Sequence, residues 1–169
     1  MNTINPKQFR ILAITPSYRG FGFAVLEGQD TLVDWGVRNV QGDKNAHSLA
    51  RVDELIAQYQ PVVLVLQDVE NSRRHSRIKA LNRKIIALAA TRKVSVKLFS
   101  HEQVRRTYFA DGLGTKHALA EIIARRFPEE LASRLPPKRK PWVSEHYQMD
   151  IFDAVALALV LRKRHMECK

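Results

Sequence analysis

Apolar positions along this chain fall into short runs whose period changes from strand-like to helix-like and back. Residues 10–15 (RILAIT) form a nearly unbroken apolar run ending at Pro16, which predicts a buried strand. Residues 20–26 predict a second strand, and Gly28-Gln29-Asp30 a turn. Residues 31–40 alternate well enough to be a third, so 10–40 reads as an antiparallel meander. The period then changes. Leu49, Val52, Leu55 and Ile56 share one face of a helix over 46–59 that should stop before Pro61. Residues 62–66 (VVLVL) predict a strand covered on both faces. A long helix follows over 72–92, with an apolar stripe of Ile78, Leu81, Ile85, Leu88 and Ala89. Residues 94–99 are a fifth strand, and 101–108 and 116–127 are helices, the second capped by Thr115. The proline-rich stretch 134–142 (RLPPKRKPW) cannot be helical, and 149–164 is a closing helix.

That order predicts an α/β protein with a mixed five-stranded sheet, its antiparallel hairpins first and its later strands entering by right-handed helical crossovers. No repeat, low-complexity segment or linker interrupts it, so residues 1–169 read as one domain.

Composition narrows the class. With 45% hydrophobic and 27% charged residues the chain is too apolar for disorder. It has no apolar run of the roughly 18 residues that span a bilayer, and its first residues lack a signal-peptide core. Cys168, the single cysteine, excludes a disulfide framework or a cysteine-zinc site. A cytoplasmic location is expected. Charge separates the classes further. The net charge of +11 is one-sided: residues 1–70 hold 6 basic and 8 acidic side chains, residues 71–169 hold 22 and 9, and 71–101 carry no carboxylate. Such a field suits a polyanion, because Lys and Arg that neutralise phosphates release condensed counterions. A merely solvated basic surface is the alternative; a membrane partner is not expected, since no helix pairs the charge with an exposed aromatic face.

Ligands of such a sheet bind beyond the carboxyl ends of its central parallel strands. Three points of the sequence meet there: Thr15-Pro16-Ser17, the segment Gln67-Asp68-Val69-Glu70, and the start of the last helix with Asp150 and Asp153. Asp150 and Asp153, three residues apart, share one helical face and can flank a metal, although acids in a first turn are favoured by the macrodipole in any case. Gly20-Phe21-Gly22 is no nucleotide loop, because no helix follows; Gly22 reads as a close-packing or bulge position.

The opening RILAITPSYRGFGFAVLEG, the strand VVLVLQDVE and the final MDIFDAVALALV resemble the RuvC-type Holliday-junction resolvases of the RNase H-like superfamily, in the same order of elements over residues 10–164. The resemblance implies a RuvC-like, RNase H-like fold and a site of four acids holding two Mg²⁺ (or Mn²⁺) ions: an Asp ending strand one, a Glu ending strand four, and an Asp-x-x-Asp pair opening the last helix. Asp150 and Asp153 match the pair. Thr15 stands where the first Asp is expected and Gln67 where the Glu is expected. Two readings follow. In one, the protein binds branched or distorted double-stranded DNA with a degenerate nuclease site. In the other, it is an active Mg²⁺-dependent endonuclease using Asp68 or Glu70 with Asp150 and Asp153, Asp68 reaching inward only if a bulge resets the strand's parity. A scaffold that binds no nucleic acid is a third. Because Thr and Asp, and Gln and Glu, nearly match in volume, Thr15→Asp with Gln67→Glu is expected to rebuild the four-acid cage without disturbing packing, the clustered charges destabilising the metal-free protein until Mg²⁺ binds the folded state.

The expected DNA contacts are Arg73, Arg74, Arg77 and Lys84 on the second helix, Lys116 on a later one, and Lys138-Arg139-Lys140 in the connector. Trp142, ending that connector, is expected in the core, with stacking on an unpaired base as the alternative. His146 is the nearest basic group before the last helix and reads as a surface histidine. A homodimer is implied by the resemblance and by the two-fold character of a four-way junction.

Overall fold

In the computed structural model, residues 9–167 are described; Cys168 and the first eight residues lie outside that range. The sheet has five strands: β1 (Arg10–Pro16), β2 (Gly20–Glu27), β3 (Thr31–Asn39), β4 (Val63–Gln67) and β5 (Ser95–Phe99). Their order is β3-β2-β1-β4-β5. The pairs β1–β2 and β2–β3 are antiparallel, and β1–β4 and β4–β5 are parallel. Helices α1 (Lys44–Tyr59) and α2 (Ser76–Thr91) make the crossovers on one face. α3 (His101–Tyr108), α4 (Lys116–Arg126), the short α5 (Pro128–Leu131) and α6 (Met149–Glu167) complete the chain.

Strand parity divides the core in two. Ile11, Ala13, Ala24, Val63 and Val65 pack toward α4 and α6. Leu12, Ile14, Phe23, Leu64 and Leu66 pack toward α1 and α2. Side chains alternate along a strand, so Thr15 and Gln67 continue the first set and belong to the α6 face. That parity aims both at the start of α6, whose residues Ile151, Phe152 and Val155 are buried against the sheet.

The start of α6 comes unusually close. Thr15 pairs with Gly22 across β1–β2, and a Cβ on Gly22 would lie 2.5–2.6 Å from the Asp150 backbone and Cβ. Gly22 is a close-approach residue for a helix, not a bulge; the register shift lies in the β2–β3 pairing, at Val25/Leu26.

The helix boundaries differ from the expected ones for local reasons. α1 begins earlier because Asp43 accepts a hydrogen bond from the Ala46 amide and caps it. α2 begins four residues later than expected, because Ser72 closes a turn onto the Val69 carbonyl and His75 caps the Arg77 amide instead. Thr115 caps α4 as expected. Among the described residues, no helix is long and apolar enough to cross a membrane.

Candidate nucleic-acid and metal site

The four positions singled out at the strand and helix ends do converge. Thr15, Gln67, Asp150 and Asp153 line one small pocket with Arg74. Their chemistry is not that of four acids. Thr15 Oγ1 donates a 2.9 Å hydrogen bond to the Asp150 carbonyl, tying β1 to the first turn of α6. Its near-complete burial makes that hydroxyl part of the packing. The Gln67 backbone carbonyl accepts from Asn82 of α2, which fixes the end of β4.

The acids around the pocket are Asp150, Asp153 and Glu145. One carboxylate oxygen from each lies within 4.8 Å of the others. Glu145 is not marked by any motif; it precedes α6 in an irregular segment, and only the tertiary fold brings it in. The cation among these acids belongs to the protein. Lys116 Nζ is 2.6 Å from Glu145 and 3.0 Å from Asp153. Burial pulls its ammonium toward the neutral form, but the two carboxylates outweigh burial and hold its pKa above the usual lysine value. Lys116 occupies the first position of α4, where the helix dipole disfavours a cation. That local mismatch is the sequence signal that it has an acidic partner.

Burial raises both helix acids, and it is the leading cause for each. Asp150 rises from 3.8 to about 6, with the Ser17 hydroxyl pulling the other way and the Asp153 charge adding to the rise. Asp153 rises too, opposed by Lys116. A folded-state pKa above the unfolded value means that folding favours the protonated carboxyl. The ionised form therefore lowers stability progressively as pH rises through about 6. Asp150→Asn should remove that penalty, raising the melting temperature at about pH 8 by roughly 2–8 °C for about 1–2 kcal/mol. The gain should vanish near pH 4, where the native carboxyl is also protonated. An equal gain at both pH values in thermal melts would mean that ionisation of Asp150 is not what limits stability.

Asp68 and Glu70 stay apart from this cluster. β4 pairs with β5 without a break through Gln67, so parity is not reset and Asp68 turns away from the α6 face. It is exposed, accepting a hydrogen bond from the Glu70 amide. Glu70 is exposed as well and pairs with Arg83 of α2 at 2.7 Å, which holds its carboxyl below the usual range.

The basic residues divide by what they touch. Arg77 is a clamp: it donates to the carbonyls of Ser17 and Tyr18 and to the Asn45 side chain, fixing the β1–β2 turn. Arg74 donates to the Pro16 carbonyl at 3.4 Å and lines the pocket. Lys116 is committed to its two acids. Arg73, Lys84 and Lys138 are exposed, and Arg139 donates to the Val143 carbonyl. His146 is exposed and stacks on Tyr147 at 4.6 Å between centroids. His101 faces the same region with Arg74, Lys116 and Asp153 around one cavity; burial, then Arg105, keeps its imidazole below the usual range. Trp142 is 79% exposed and not in the core. The prolines keep the connector off the sheet, so no layer is available to bury the ring.

Comparison with known proteins agrees with the fold. The chain is similar to the Thermus thermophilus RuvC structure, with a TM-score of 0.69, 17% identity, and coverage of 94% of this chain and 97% of that one. It is similar also to T. thermophilus RuvC in complex with Holliday junction substrate, with a TM-score of 0.68, 17% identity, and coverage of 94% and 96%. No family model matches the chain, and no curated protein does. At this identity the likeness is one of fold: the expected RuvC-type, RNase H-like fold is the observed one.

Proposed function

We propose that this protein recognises branched duplex DNA with a RuvC-type fold whose acidic site is neutralised by its own lysine in place of a pair of divalent ions. The single observation that carries this reading is the Lys116 ammonium, 2.6 Å from Glu145 and 3.0 Å from Asp153. Two carboxylates with a cation already between them have little charge left for Mg²⁺, a hard ion that asks for several oxygen ligands in near-octahedral array. Thr15 supplies a hydroxyl whose proton is committed to a carbonyl, and Gln67 supplies a neutral amide. These residues do not fit a two-ion cage. The junction-bound relative and the +13 excess of residues 71–169 support the choice of branched DNA as ligand. Two copies per junction, matching its two-fold symmetry, complete the proposal.

The test compares binding and cleavage of a labelled four-way junction. Binding is expected to fall on the order of 10³–10⁵-fold between about 50 and 200 mM salt if some 6–10 phosphates are neutralised. Arg73→Ala with Lys84→Ala and Lys138→Ala should flatten that slope, by about 1 for each residue that meets a phosphate. These three make no ion pair within the described chain, so the fold is spared; Arg77 is unsuitable because its loss would free the β1–β2 turn. A slope unchanged in the triple variant moves the DNA face elsewhere, and no salt-dependent binding at all favours a scaffold.

One observation favours a second reading. Glu145, Asp150 and Asp153 lie close enough to hold a metal ion once Lys116 moves aside. Robust Mg²⁺-dependent cleavage by the native protein, lost in Glu145→Gln, would establish that reading over the first.

A further inference from the structure

The connector 136–146 and the first turn of α4 border an open cleft of about 800 Å³. Trp142, Val143 and three prolines give its apolar lining; Lys138, Arg139 and Lys140 line it with cations, and its carboxylate, Glu145, is paired with Lys116. The lining is held open by its own bonds. The Pro136 carbonyl meets His117 Nε2 at 3.0 Å, the Val143 amide donates to the Lys140 carbonyl at 3.0 Å, and Arg139 donates to the Val143 carbonyl at 3.1 Å. Three prolines stiffen the segment further. Lys140 Nζ lies over one face of the Trp142 ring, 5.6 Å from its centroid, and the residue is 79% exposed, so the other face is open to a ligand.

A large flat apolar ring, exposed and flanked by cations, suits a flat apolar ligand that carries negative charge. A nucleotide has both parts: a base to stack on the indole and a phosphate for the lysines. Paired bases inside a duplex hide their faces, so the ring can take only a base that has left the stack. We propose that the Trp142 pocket captures an unpaired base displaced from branched DNA, with its phosphate on Lys138 and Lys140. This rests on the reading of the protein as a DNA binder and adds where, and to what part of the DNA, a specific contact is made. Paired arms then bind through charge alone, and preference for branched over linear DNA comes from this pocket.

Trp142 can report on its own occupancy once Trp35, the other tryptophan, is replaced by Phe. Indole fluorescence of that variant is titrated with a fully paired duplex, the same duplex carrying a bulge of unpaired thymines, and a four-way junction, all at low salt. Quenching is expected with the bulged duplex and the junction, and little with the paired duplex. Trp142→Ala should weaken the first two by about 5–150-fold, the usual range for one stacked base, and leave the paired duplex unchanged. Trp142→Phe should retain most of the affinity, as a stacking role requires. Equal weakening for all three DNAs, or no weakening, overturns the pocket while leaving DNA binding intact. Failure to bind any of the three overturns both proposals together.

Discussion

Thr15→Asp is expected to lower the melting temperature by on the order of 10 °C, although aspartate is the residue that the resemblance to RuvC-type resolvases implies there. The hydroxyl donates to the Asp150 carbonyl at 2.9 Å. A carboxylate in its place can only accept, so it would face that oxygen as a buried, unpaired charge. Such burials destabilise by roughly 3–5 kcal/mol, and each kcal/mol moves a chain of this size by about 2–4 °C. Thr15→Ser keeps the donor and should stay close to native. Adding Gln67→Glu deepens the loss, and Mg²⁺ should not restore it while Lys116 remains. The triple variant with Lys116→Ala is the one that Mg²⁺ should stabilise, since binding to the folded state alone raises the melting point. Recovery of the double variant in Mg²⁺ with Lys116 present would refute the idea that the ammonium takes the cation's position.

Lys116→Met should be nearly as damaging at about pH 8. The methionine keeps the length of the apolar stem and removes the charge between Glu145 and Asp153. With the ammonium 35% exposed, solvent screens part of the loss, so the expected figure is about 1–3 kcal/mol, or roughly 2–12 °C. The pH dependence has a definite sign. Lys116 opposes the burial that raises Asp153, so its removal raises that folded-state pKa further above the unfolded value. The deficit is therefore largest at high pH and shrinks as the acids take up protons. Melts of native and variant protein across about pH 4 to 8 check this, and a constant gap would mean that the lysine acts by packing and not by charge.

How far the residues spoke for themselves depended on whether the deciding interaction was local. Strand parity and the unbroken run VVLVL were enough for the sheet, because a period of two needs no partner to be seen. The convergence of Thr15, Gln67, Asp150 and Asp153 was legible through the resemblance, and parity explains it. The role of Thr15 was not. Equal volume predicts tolerance of Asp, but the hydroxyl's partner is a backbone carbonyl on a distant helix, and no side-chain pattern announces it. Glu145 was missed for the same reason: it lies in irregular chain, where direction has no period. Lys116 was read as a phosphate ligand by composition, and only its proximity to two acids reassigns it. Trp142 was misplaced because aromatic residues are buried on average, whereas a proline-stiffened segment had no face to lay it on.

The bond between Thr15 and Asp150 joins residues 135 apart, and this sets an order of events in time. Ribosomes release the β1–β2 hairpin long before α6 exists. Until then Ala13, Ala24 and Val65 lack the helix that packs most closely on that side, so the growing chain waits with a sheet face incompletely covered. Closure is then a late step with a large loop to bring together, and folding should be slow relative to helical proteins of equal size. A chain stopped before Met149 would lack the last layer and the pocket alike, and its bare sheet face would be the surface most open to misassembly.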